Sequence, residues 1–141
     1  MELLEKLINL SGISGNEERV RDFIIKESEK HIKEVKVDNI GNVIVRKKGI
    51  KPSIMLMAHM DEIGLMVSSI SKKGWISISP IGGIDPYILI GQKVYIEGKK
   101  GKIIGGAITT PNVLDSANLE KNLKMDDLFV YTGLTTKELN N

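Results

Sequence analysis

The apolar periodicity of this chain changes once, near residue 62, and that change limits the fold more than any other feature. Before it, helix-like and strand-like patterns alternate. Residues 2–10 place Leu3, Leu4, Leu7, Ile8 and Leu10 at helical spacing. Ser11-Gly12-Ile13-Ser14-Gly15 breaks that helix. Ser14 with Glu17 has the form of a capping box opening a second helix, with Val20, Phe23, Ile24 and Ile32 as its apolar stripe. Residues 34–38 and 42–46 alternate as strands around the turn Asn39-Ile40-Gly41. After residue 62 the helical period disappears. Strand patterns follow at residues 65–70, 75–79, 93–97, 102–108 and 128–131, punctuated by Gly74, Pro80-Ile81-Gly82-Gly83, Gly91, Gly98 and Gly101. Such spacing predicts a small β-barrel or sandwich, with a helical turn or two over residues 116–123.

The chemistry concentrates at the division. The apolar run Ser53-Ile54-Met55-Leu56-Met57-Ala58 predicts a buried strand, and His59-Met60-Asp61 follows at its carboxyl end. In open α/β sheets, ligands and metals bind at that end. His59 offers an imidazole nitrogen to a metal. Asp61, two residues on, points the same way along an extended backbone and is placed to hold the other ring nitrogen and fix its tautomer. A hydrogen-bonded structural histidine satisfies the same pattern. One histidine and one carboxylate do not complete a catalytic metal site.

Composition narrows the classes. The 141 residues suit one ordinary domain or two small ones, and 41% hydrophobic content is that of a soluble globular protein. No stretch approaches the roughly 20 apolar residues of a membrane span. Met1-Glu2-Leu3-Leu4-Glu5-Lys6 lacks the basic start of a secretory signal. Without cysteine, any metal must be held by imidazole and carboxylate, and the expected compartment is the cytoplasm. A net charge of +2, from 20 basic and 18 acidic residues, does not suggest nucleic acid. The basic clusters Arg46-Lys47-Lys48, Lys72-Lys73 and Lys99-Lys100 lack interleaved aromatics and read as solvated hairpin tips. His31 sits at a helix end as solvated surface, and Glu62 reads as an exposed loop carboxylate, a substrate group or a group supporting the ligands from behind. Met55, Met57, Met60 and Met66 read as core filler.

Five motifs, in order along nearly the whole chain, make a resemblance specific. They are Ser14-Gly15-Asn16-Glu17-Glu18, Val37-Asp38-Asn39-Ile40-Gly41-Asn42, Ala58 through Val67, Pro80-Ile81-Gly82-Gly83-Ile84-Asp85-Pro86, and Met125-Asp126-Asp127-Leu128-Phe129. The chain resembles the amino-terminal part of the cytoplasmic di-metal aminopeptidases that assemble into tetrahedral dodecamers. Members of that family carry labels such as glutamyl aminopeptidase, deblocking aminopeptidase or endoglucanase. The resemblance implies that His59 binds one of two divalent metals, zinc or cobalt, and that Asp61 orients it from behind. The implied fold is α/β: a partial zinc-peptidase α/β/α layer over residues 1–62, then a small all-β, barrel-like inserted domain over residues 63–141 that makes dimer and dodecamer contacts.

Members of that family are much longer. Their bridging Asp, paired Glu residues, further carboxylate and second His come after the inserted domain, and none has a counterpart here. The expected function is part of an enzyme that removes amino-terminal residues from peptides, with this chain inactive alone. The alternative is a non-catalytic assembly module or remnant that oligomerises through its β domain. Expected partners are peptides in the complete enzyme, further copies of the chain or a complementing carboxy-terminal chain, with neither nucleic acid nor membrane. Self-association is expected because Val43, Val45, Ile54 and Leu56 would lack cover.

Overall fold

The computed structural model describes residues 2–98, 101–110 and 123–139, and contacts divide the chain into two units, Met1–Ile63 and Gly64–Asn141. The first unit holds helices α1 (Glu2–Ile8) and α2 (Glu18–Glu29) and strands β1 (Val35–Val37) and β2 (Val43–Val45). β1 and β2 pair antiparallel, Val35 opposite Val45 and Val37 opposite Val43. Asp38 closes the turn between them: its Oδ1 accepts from the backbone N–H of Ile40 at 3.0 Å and of Asn42 at 2.9 Å. That is an Asx-type turn, in which the side chain takes over the backbone's pairing. Val20 of α2 is buried.

Four expectations for this unit fail. The Ser14–Glu17 capping box does not form: α2 begins with Glu17 as N-cap and has no side-chain cap bond, while the Ser14 hydroxyl goes to Asp61. Residues 53–58 form no strand. A strand exists only through its ladder partners, and among the described residues this segment has none. Its apolar side chains consequently lie open, Ile54 at 85% and Leu56 at 92% exposure. For the same reason Met55 and Met57 are exposed and fill no core; Met66, paired opposite Ser79 in the second unit, is exposed as well. Arg46, Lys47 and Lys48 leave β2 and do not occupy the hairpin tip, whereas Lys72 and Lys73 do sit in a turn.

The second unit is an antiparallel sheet of β3 (Gly64–Ile70), β4 (Ile76–Ile81), β5 (Lys93–Glu97), β6 (Ile103–Thr109) and β7 (Phe129–Tyr131), in the order β3-β4-β7-β6-β5. A 3-10 turn Pro86–Ile88 precedes β5, another, Met125–Asp127, precedes β7, and a short helix α3 (Thr136–Leu139) follows. The alternation Ile76-Ser77-Ile78-Ser79 buries both isoleucines, as a half-buried strand requires. Register then aligns Ile76 with Val130 and Val130 with Ile108, a buried row across three strands. Leu123 and Leu128 complete that core, with Leu65, Val94 and Ile96 packed around it. Gly106 is required here: a Cβ would stand 2.4 Å from Val130 Cγ1. The helical turn expected over residues 116–123 falls almost wholly outside the described residues. No helix among the described residues is long and apolar enough to cross a membrane.

Candidate metal-ligand site

The segment carrying His59 is held by the loop between α1 and α2. Glu62 donates its backbone N–H to Gly12 O at 2.9 Å, and its carboxylate Oε1 accepts from Gly12 N–H at 3.1 Å. Ile13 and Glu62 make a parallel bridge. The approach needs glycine, since a Cβ on Gly12 would lie 2.5 Å from Val20 Cγ2 on α2. Glu62 is therefore an anchor as well as an exposed loop carboxylate.

Within that frame Asp61 and His59 are bonded to each other. His59 Nδ1 lies 3.0 Å from Asp61 Oδ1 and 2.9 Å from the Asp61 carbonyl oxygen. The other carboxylate oxygen, Oδ2, accepts a short hydrogen bond from Ser14 Oγ. That bond is the main reason the Asp61 carboxyl is held below its ordinary range; partial desolvation opposes it and the His59 contact adds to it. Asp61 is thus an ionised acceptor. Both neighbours of Nδ1 are acceptors only, so Nδ1 carries the proton and the neutral ring keeps its lone pair on Nε2. The imidazole side chain is 86% exposed, so that lone pair is open to a ligand.

The arrangement matches what a metal needs from one histidine: a fixed tautomer, an oriented ring and a carboxylate that raises ligand basicity. It does not make a complete site. Among the described residues no group of three or more His, Cys, Asp or Glu side chains is placed to hold a metal ion. His31, the other histidine, lines an open cleft of about 510 Å3 with Lys33, Glu34, Lys36, Arg46 and Lys48. Sequence reasoning placed His59 and Asp61 together and missed Ser14 and Gly12. The signal for those two was a tertiary contact spanning 47 and 50 residues, which local pattern cannot show.

Comparison with known proteins gives the site its context. The family model described as M42 glutamyl aminopeptidase matches residues 41–140. A lysyl aminopeptidase of Pyrococcus furiosus is 38% identical over 140 residues, 97% of this chain and 40% of that protein. The crystal structure of a TET aminopeptidase from a marine-sediment thaumarchaeon aligns with a TM-score of 0.86 at 34% identity, over 98% of this chain and 39% of its own. A TET1 peptidase of Pyrococcus horikoshii, described as assembling into a tetrahedron or a large octahedral shell, aligns with a TM-score of 0.83 at 39% identity, over 97% of this chain and 41% of its own. The chain therefore spans about two fifths of the length of the relatives it matches.

Proposed function

This chain belongs to the M42 glutamyl aminopeptidase family, and from that premise we propose that it is part of a metal-dependent enzyme removing amino-terminal residues from peptides. In this reading His59 is one ligand to one of two divalent metals, zinc or cobalt, bound through Nε2. Asp61 positions the ring and Ser14 positions Asp61. A bound metal would supply Lewis acidity and an activated water; the described residues contribute one oriented ligand toward it. The observation that carries the reading is the pair of acceptors around Nδ1, which fixes the tautomer that a metal requires.

Residues 1–62 are proposed as the amino-terminal part of the peptidase domain and residues 63–141 as a barrel-like oligomerisation domain. A two-metal hydrolase needs bridging carboxylates and a general base, so the chain alone is proposed to be inactive, with the remaining ligands supplied from outside these 141 residues. A cytoplasmic location belongs to the same proposal. Calorimetric titration with zinc and with cobalt tests it: weak binding is expected, abolished in His59→Ala and retained in His31→Ala. Tight, stoichiometric binding of two metals would mean that other ligands exist in this chain.

A second reading is an assembly module without catalysis, favoured by the incomplete ligand set among the described residues. It shares with the first the proposal that residues 63–141 join copies of the chain, as the TET relatives assemble. A stable oligomer that neither binds metal through His59 nor changes on metal addition would favour this second reading.

A further inference from the structure

The first unit gathers positive charge at a place the metal site does not use. Residues 31–36 and 46–48 line the open cleft of about 510 Å3. Lys33, Lys36, Arg46, Lys47 and Lys48 stand in that lining against a single carboxylate, Glu34. Five cations and one carboxylate make a net +4 with histidine neutral, whereas the whole chain carries only +2. The rest of the chain is therefore net negative, and the cleft is a positive focus on it.

Pairing of β1 with β2 brings the two basic segments together. Val35 lies opposite Val45, and Arg46 N–H donates to Glu34 O at 2.9 Å, which carries the ladder one residue past β2. The chain leaving through Lys47 and Lys48 thus departs beside the chain arriving through Lys33. The arriving segment is fixed to the end of α2, where the N–H groups of His31 and Ile32 donate to Ser28 O at 3.0 and 2.9 Å. Glu34 Oε1 lies 3.9 Å from Arg46 Nη1. Among the described residues no ion pair engages the four lysines, and all four are exposed.

We propose that this cleft binds a free oligophosphate, a short chain of linked phosphates. Such a ligand packs several negative charges into a small volume and so answers several cations around one opening. The cleft has the size of a small-molecule site, for which about 300–1,000 Å3 is usual. Lysine meets phosphate as a point charge, whereas two-point recognition of a carboxylate uses the planar fork of arginine. The single arginine here already faces Glu34, so an acidic peptide finds no open fork. No Phe, Tyr or Trp lines the cleft, so nucleobases have no ring to stack on. The site is independent of His59 and stands apart from the metal reading.

Calorimetric titration of the full chain with sodium tripolyphosphate, at low and at physiological salt, tests this. Saturable binding that weakens as salt rises is expected. Lys47→Gln and Lys48→Gln should each weaken it about two- to fivefold, and together about tenfold. Glu34→Gln removes the opposing carboxylate and releases Arg46, so binding should tighten about two- to fivefold, a gain that a damaged fold cannot produce. Lys72→Gln combined with Lys73→Gln, exposed in a turn of the second unit, should leave the affinity unchanged. ATP, which gives up one charge to its ester linkage, should bind more weakly, as should a glutamate peptide of equal charge. No binding at low salt overturns the proposal. An equal loss on removing Lys72 and Lys73 overturns the cleft as the site, and so does an unchanged affinity in Glu34→Gln. ATP binding as tightly as tripolyphosphate or more so overturns a free oligophosphate in favour of a nucleotide, and tighter binding of the peptide overturns phosphate as the ligand chemistry.

Discussion

Ser14, in the loop between α1 and α2, donates its hydroxyl to Asp61 Oδ2, while Asp61 Oδ1 receives the Nδ1–H of His59. A chain of two hydrogen bonds therefore runs from the first loop to the imidazole. It makes the orientation of the candidate ligand depend on a residue 47 positions away from Asp61 in sequence.

Ser14→Ala should raise the Asp61 pKa toward the ordinary carboxylate value of about 3.9. The Ser14 bond is the largest cause of its depression. Because folding lowers this pKa, the associated stability is present above the unfolded value and lost as pH falls through the folded one. NMR titration of the Asp61 carboxyl carbon in both proteins measures it. An unchanged midpoint would show that the Ser14 bond does not hold in solution.

Aminopeptidase assays on leucyl, glutamyl and lysyl chromogenic substrates should show nothing above background for this chain alone. The described residues place one imidazole, that of His59, against a carboxylate and form no cluster of three ligands. Turnover that survives purification and vanishes in His59→Ala would contradict this account.

Gly12→Ala should disturb the His59 segment without touching it. The added methyl meets Val20 Cγ2 at 2.5 Å, so the loop or Val20 must shift, which strains the loop's two bonds to Glu62. The expected result is lower stability together with shifted His59 resonances. A variant with wild-type resonances throughout residues 58–63 would show that the loop does not hold the segment.

Ile76→Ala removes a fully buried side chain from the row that Ile76 makes with Val130 and Ile108. Denaturant unfolding should register a loss of about 2–5 kcal/mol. Leu56→Ala, at an exposed position, should change stability by no more than about 0.5 kcal/mol. Similar losses for both would indicate that the apolar run 53–58 is covered in solution.

The strands of the second unit were legible because their side chains obey a period of two and their turns carry glycine. Ile76-Ser77-Ile78-Ser79 states its buried face outright. The His59–Asp61 pair was legible for the same reason, since two residues in an extended stretch share a side. The run 53–58 misled because apolar content shows what a segment would bury, not whether a partner lies beside it. Ser14 and Glu17 misled differently. Their spacing satisfies a local capping rule, but a carboxylate 47 residues on takes the hydroxyl. Local pattern predicts local bonds, and the bonds that build this site are not local.

The central claim is that Asp61 holds the proton of His59 on Nδ1 and leaves Nε2 open to a metal. Long-range proton–nitrogen NMR of the imidazole, recorded above its titration range and then with added zinc, tests this directly. The account predicts a protonated Nδ1 and an unprotonated Nε2, with the Nε2 resonance moving selectively as zinc is added. A ring protonated on Nε2, or a zinc titration that leaves both nitrogens unmoved, would contradict it.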